Sequence, residues 1–78
     1  MTMNKMIFDE KWKVIRVQST AHWSLMGEFD LNKVDKAKDK YDRFVTMLQV
    51  KYGYTRQQAR AELNRFWVEY EANSKNDS

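Results

Sequence analysis

Apolar residues recur every three to four positions along almost the whole chain, and this periodicity limits the fold more than any other feature. The strict alternation of apolar and polar residues that marks a half-buried strand is nowhere sustained. The chain has no Pro, and Gly27 and Gly53 are its only glycines, so they are expected to separate helices. The sequence therefore predicts an all-α fold, a small bundle of three principal helices, or four if the middle segment breaks.

The length allows one domain, residues 1–78. A chain this short buries a smaller fraction of its surface than a long one, so its core must be built from large side chains. Aromatic residues make up 14% of the chain and supply that bulk, so we interpret them as core rather than as a platform for stacking bases. The polar ends, residues 1–6 and 73–78, are expected to fray.

The first helix is expected to begin after an N-cap at Asp9 and to end at Gly27. One arc of this helix is suited to the core: Phe8, Trp12, Ile15, Ser19, His22, Trp23 and Met26. A second apolar stripe lies on another face: Val14, Val17, Ala21 and Leu25. Two interpretations are open. Either the flanking helices or the segment around Phe29 cover this stripe, or it binds a protein partner, most simply a second copy in a homodimer.

The middle helix is expected to follow an N-cap at Asp30 and to end at Gly53, with Met47 and Val50 exposed. The last helix has the clearest start, because Thr55 and Gln58 have the spacing of a capping box. Gly53 just before it can adopt the left-handed conformation that ends a helix. We expect one set of side chains to meet at the centre of the bundle: Trp23, Leu48, Tyr52, Leu63 and Phe66.

Several of these residues also form a recognisable pattern. Trp12 and Trp23 are followed by an Asp-Leu helix start, then Leu48-Gln49-x-x-Tyr52-Gly53-Tyr54-Thr55, and then Gln58-Ala59-x-x-Glu62-Leu63-x-x-Phe66-Trp67. From Trp12 to Trp67 the chain resembles the CsbD-like family, small bacterial proteins linked to general stress responses. The resemblance implies a compact bundle of helical hairpins. It also implies a stress-associated protein without established catalytic residues.

No group of residues has the composition of an active site or a metal site. His22 is the only histidine and the chain has no Cys, so we interpret His22 as a helix residue at the edge of the core. Asp35, Asp39 and Asp42 fit a solvated flank, with Asp39 paired to Arg43 and Asp35 to Lys38. The sequence therefore predicts a non-enzymatic protein with no cofactor and no metal.

Basic residues line one side of the expected middle helix: Lys33, Lys36, Lys40, Arg43 and Lys51. Such a ridge can follow phosphates, which makes a nucleic-acid-binding accessory protein the alternative function. The neighbouring Asp residues weaken its field, and no reader motif such as a helix-turn-helix is present. The leading hypothesis is a stress-associated protein that binds or stabilises a partner.

The charge pattern and the start of the chain predict a soluble, cytoplasmic protein with no membrane contact. No apolar run approaches the length that spans a bilayer, and Met1 to Phe8 lacks the apolar region of a signal peptide. The net charge is +3, with 14 basic and 11 acidic residues interspersed, which is typical of a soluble surface.

Overall fold

The computed structural model describes residues 3–76, which form five helices and no strand. In chain order they are α1 (Lys5–Glu10), α2 (Trp12–His22), α3 (Glu28–Asp35), α4 (Lys40–Tyr52) and α5 (Arg56–Asn76). The predicted all-α class is confirmed. The middle segment breaks, as the four-helix alternative expected, but the described residues form five helices rather than three or four. Both of the long helices expected before Gly53 are divided.

The first division lies at Lys11, where the backbone leaves the helical conformation for one residue (φ −101°, ψ 13°). The helix before it begins at Lys5, because the Asn4 side chain accepts a hydrogen bond from the Ile7 N–H at 2.9 Å. The predicted start at Asp9 is therefore wrong. An Asn at an N-cap position accepts a hydrogen bond from an N–H group of the first turn that has no partner inside the helix. Asn4 fills this role, so the N-cap lies five residues before Asp9.

Both ends that were expected to fray have a defined conformation in part. Met3 is 5% exposed, and its backbone N–H donates to Asn64 Oδ1 at 2.7 Å, which attaches it to α5. At the other end α5 continues to Asn76. Residues 1–2 and 77–78 of the two expected tails lie outside the described residues, and fraying of residues 1–6 and 73–78 stays a prediction.

Helix α2 ends earlier than Gly27, because the chain becomes extended at Trp23 (φ −117°, ψ 97°). This conformation places the Trp23 ring in the core, 5.4 Å from the Phe44 ring and 4.9 Å from the Phe66 ring.

Helix α3 begins at Glu28, two residues before the N-cap that was expected at Asp30. Asp30 instead lies in the first turn and accepts a hydrogen bond from the Gly27 N–H at 3.2 Å.

The second division separates α3 from α4 at residues 36–39. Asp39 is the N-cap of α4, and its side chain accepts a hydrogen bond from the Asp42 N–H at 3.0 Å. This cap satisfies an N–H group of the first turn that has no partner inside the helix, and so stabilises a new helix start at this point. We call residues 36–39 the elbow. Their bend changes which basic side chains lie together.

The start of α5 agrees with the predicted capping box. Thr55 Oγ1 accepts from the Gln58 N–H at 3.1 Å, and Gln58 Oε1 accepts from the Thr55 N–H at 2.9 Å. Gly53 is left-handed, with φ 71°, and its N–H closes α4 onto the Gln49 carbonyl at 2.9 Å. Both predictions are confirmed, since the bonds involved are local and depend on few residues.

Helix α4 is the centre of the bundle, and α1, α3 and α5 pack against it. Edge and tilted aromatic contacts connect the helices, with Phe8 5.4 Å and Trp12 6.0 Å from Phe44. Among the residues predicted to be central, Trp23, Leu48, Leu63 and Phe66 are buried and Tyr52 packs at the edge of the core. Met47, expected to be exposed, is only 9% exposed, whereas Val50 is 77% exposed as predicted.

Candidate interaction surfaces

The second apolar stripe of the first helical segment faces solvent. Val17 is 70% exposed, Leu25 51% and Val14 36%, and Ala21 is exposed as well. Phe29, one of the groups expected to cover the stripe, is itself 72% exposed. The chain's own helices therefore leave this stripe uncovered. Val14, Val17 and Ala21 lie on α2, and Leu25 lies in the segment that follows it. We call these four exposed residues the α2 outer face.

The α2 outer face continues into a shallow groove between α2 and α5. This depression, about 210 Å³ in volume, is lined by Gln18, Ala21, His22, Phe66, Glu69, Tyr70 and Asn73. The His22 ring lies 4.5 Å from the Trp23 ring and 5.0 Å from the Phe66 ring, which agrees with a histidine at the edge of the core. Within residues 3–76, no three His, Asp or Glu side chains are grouped closely enough to hold a metal ion.

The predicted basic ridge does not form one continuous line, because the elbow bends the chain between its members. Two of the five cations contact carboxylates elsewhere. Lys51 Nζ is 3.1 Å from Asp30, and Lys40 Nζ is 4.0 Å from Asp9 and also donates to the Ala37 carbonyl at 3.5 Å. These two lysines connect helices rather than presenting charge to a ligand.

The remaining three cations of the ridge are brought together at the elbow. Lys33, Lys36 and Arg43 line a depression of about 400 Å³ whose other lining residue is Ala37, and no carboxylate is among the lining residues. None of the three forms an ion pair within the part of the chain that the structure describes. We call this depression the elbow pocket.

An aromatic ring adjoins the elbow pocket. Lys33 Nζ lies 4.6 Å from the centroid of the Phe29 ring, in the geometry of a cation–π contact. Phe29 precedes Lys33 by one helical turn on α3, which explains why the two side chains meet. The prediction that aromatic residues belong to the core is therefore wrong for Phe29. A sequence signal was present, because Phe29 is displaced from the stripe formed by Leu31 and Val34.

The three aspartates of the expected flank form contacts between helices. Asp35 accepts from Trp12 Nε1 at 2.6 Å and from Arg16 Nε at 3.0 Å, Asp39 pairs with Lys5 at 2.6 Å, and Asp42 pairs with Arg56. The predicted pairs with Lys38 and Arg43 along one helix are not formed. Each of the three aspartates nonetheless has a structural contact, because its carboxylate accepts a hydrogen bond or forms an ion pair with a side chain of another part of the chain.

These contacts also lower the pKa of two of the carboxyls. The hydrogen bond from the Trp12 indole, helped by the Arg16 guanidinium, lowers the pKa of Asp35. The Lys5 ammonium, followed by the hydrogen bond from the Asp42 backbone, lowers the pKa of Asp39. Hydrogen bonds to Glu28 and then Asp35 raise the pKa of Arg16. Each shift favours the charged form, which is the behaviour of a structural ion pair rather than of a proton-transfer site.

Comparison with known proteins found no matching family model, no matching curated protein and no matching solved structure. Within the described residues, no helix combines the length and the apolar character needed to cross a membrane.

Proposed function

We propose that this chain is a non-enzymatic, cytoplasmic, stress-associated protein that acts by binding a protein partner through the α2 outer face. The stress association rests on the resemblance of residues 12–67 to the CsbD-like family. The binding role rests on the exposure of three apolar residues of α2 and of Leu25 in the segment after it, with Val17 at 70%. Contact with a partner would remove this apolar surface from water.

The occupant that fits the α2 outer face most simply is a second copy of the chain. A two-fold dimer places the same patch on both subunits, so a patch of apolar residues can be its own complement. Val17, the most exposed of the four, would lie in such an interface, and a lysine there would bury an ammonium without a partner. The variant Val17→Lys should therefore convert a dimer into a folded monomer.

Sedimentation equilibrium over a wide concentration range tests this proposal. Val50→Lys is the matched control, because Val50 is 77% exposed on α4 and lies outside the α2 outer face. We expect the wild type and Val50→Lys to be dimers whose melting temperature rises with protein concentration, and Val17→Lys to be a folded monomer whose melting temperature does not. A wild type that is monomeric at the highest concentration would contradict self-association. The abundance of the transcript before and after heat or salt shock tests the stress association separately.

The second candidate function is nucleic-acid binding, and the elbow pocket favours it. Lys33, Lys36 and Arg43 form a compact basic site without a lining carboxylate. Binding of generic duplex and single-stranded oligonucleotides at increasing salt tests it, because phosphate contacts release counterions and affinity must fall steeply with salt. Absence of binding to either form at low salt would remove this candidate.

A further inference from the structure

Two features lie side by side at the elbow: the three cations that line the elbow pocket, and the exposed ring of Phe29, which contacts one of them from outside the lining. The cations Lys33, Lys36 and Arg43 come from the end of α3, the elbow and the first turns of α4. Phe29 lies against Lys33 and is 72% exposed, so much of its ring is accessible from solvent.

From this juxtaposition we propose that the elbow pocket binds single-stranded nucleic acid, with Phe29 stacking on a base and the three cations contacting backbone phosphates. Proteins that bind single strands without sequence preference combine a positively charged groove with aromatic side chains on which bases stack. In a duplex the bases are already stacked on one another, so an exposed phenyl ring gains nothing there. The inference rests on the nucleic-acid-binding candidate above and specifies its site and its ligand.

The local charge distribution directs an anionic strand to this side of the elbow. The neighbouring depression beyond Ala37 and Arg43 is lined by Lys38 and also by Asp39 and Asp42, so two carboxylates offset its two cations. The elbow pocket shares Ala37 and Arg43 with it but has no lining carboxylate. A strand would therefore contact Lys33, Lys36 and Arg43 and leave the acidic side of the elbow free.

An acidic peptide is the competing ligand, because it too would be attracted by the three cations. Its carboxylates do not stack on an exposed phenyl ring, whereas the flat face of a nucleobase does. The Phe29 side chain therefore distinguishes the two ligands. A 72% exposed Phe makes little contribution to the core, so it can be removed without unfolding the chain.

The test uses fluorescence anisotropy with a labelled 15-nucleotide mixed-sequence DNA strand, and with the same strand in a duplex, at several salt concentrations. Phe29→Ala should weaken binding of the single strand about tenfold and leave duplex binding unchanged. The triple variant Lys33→Gln, Lys36→Gln, Arg43→Gln should lower the slope of log K against log salt for the single strand by about two.

A matched triple variant controls for net charge. Lys11→Gln, Lys13→Gln and Arg60→Gln neutralises three exposed cations away from the elbow pocket, and either triple lowers the formal net charge from +3 to 0. The control triple should retain most of the affinity and most of the salt slope. Thermal melts of all variants should match that of the wild type, because every substituted side chain is exposed.

The outcomes separate this inference from the candidate function on which it rests. Absence of binding to both oligonucleotides overturns nucleic-acid binding as a whole. Equal losses from the two triple variants, with no effect of Phe29→Ala, would leave nucleic-acid binding in place and overturn the elbow pocket as its site. A competition experiment tests the acidic-peptide alternative, with polyglutamate and the unlabelled strand compared at equal total charge. If both compete equally well, and Phe29→Ala binds the single strand as tightly as the wild type does, the pocket is assigned to acidic peptides and the inference is overturned.

Discussion

Single side chains at helix ends decide where the helices of this bundle begin. Asn4, Asp39 and Thr55 each accept a hydrogen bond from a backbone N–H of the following turn, at distances from 2.9 to 3.1 Å. The first turn of a helix has N–H groups with no partner inside the helix, so such a side chain satisfies a group that would otherwise need water. Three of the five helices thus begin at residues of the type that caps best.

The Thr55→Ala substitution should lower the free energy of unfolding by about 1 kcal/mol, because it removes the acceptor for the Gln58 N–H. Thermal or denaturant unfolding of the two proteins measures the difference. Thr55→Ser is the matched control, since it keeps the hydroxyl and should retain most of the stability. Equal midpoints for Thr55→Ala and the wild type would show that the capping box adds nothing.

The Asp35 carboxylate should make stability depend on pH in the acid range. Its pKa is lower in the folded protein than in the unfolded chain, so its ionised form stabilises the fold at pH values above the ordinary carboxyl pKa. This contribution is lost as the pH falls from that ordinary value through the lowered pKa. The side chain is 37% exposed, so solvent screens the contacts with Trp12 and Arg16 and keeps the effect small.

Replacing Asp35 with Asn should therefore cost stability at pH 7 and reduce the loss of stability on acidification. Glu10→Gln is the control, because Glu10 is exposed and makes no ion pair within the part of the chain described. Chemical denaturation at a series of pH values gives both quantities. A curve for Asp35→Asn that runs parallel to the wild type throughout would contradict the role given to the carboxylate.

At the scale of the helices, two short interruptions determine which surfaces exist. The one-residue interruption at Lys11 separates α1 from α2, and the elbow at residues 36–39 separates α3 from α4. Without the elbow, the five basic residues would follow one helix. With it, Lys33, Lys36 and Arg43 meet in one pocket while Lys40 and Lys51 pair with carboxylates. The interruption therefore replaces one continuous basic ridge with a pocket lined by three of its five cations.

The end of α4 should be sensitive to the residue at position 53. Gly53 is left-handed at φ 71°, and no atom lies within 4 Å of a Cβ added there, so a substitution meets backbone strain alone. Gly53→Ala should cost about 1 kcal/mol of stability. Gly53→Asn is the control, because Asn adopts the left-handed conformation more readily than Ala, and it should change stability less. Equal effects of the two substitutions in thermal unfolding would contradict this explanation.

At the scale of the whole molecule, α4 and α5 pack against each other and supply half of the buried apolar side chains. The described structure measures 35 × 24 × 23 Å, and a helix of the length of α5 spans about 31 Å, nearly its long dimension. Leu63 in this helix is fully buried, as are Phe44 and Leu48 in α4. The loss of one such side chain should therefore lower the free energy of unfolding of the entire bundle.

The substitution Leu63→Ala should cost about 2–5 kcal/mol, through lost burial and the cavity that remains. Small domains have only about 5–15 kcal/mol of stability in total, so the variant will be close to unfolding at room temperature. Val68→Ala in the same helix is the control, because Val68 is 42% exposed and should lose far less. A melt of Leu63→Ala that matches the wild type would mean that α5 packs through a different face.

The sequence by itself determined the helical class, the capping box at Thr55, the left-handed Gly53 and most of the buried face of each helix. These depend on residues within a few positions of one another, whose hydrogen bonds and periodicity are local. It misplaced the first helix start because Asn4 and Asp9 are both suitable caps. It left the middle helix undecided because Asp39 can either cap a helix or pair along one.

Only the tertiary structure decided how the surfaces are used. Pairing of Asp35 with Arg16, of Asp39 with Lys5 and of Asp42 with Arg56 joins residues 14 to 34 positions apart, and so depends on the angles between helices. The same angles leave Val17 uncovered and bring Lys33, Lys36 and Arg43 together. A pattern read along the chain shows which face of a helix is apolar or basic. Which of those faces another helix covers follows from the packing of the whole chain, and that packing has no local signal.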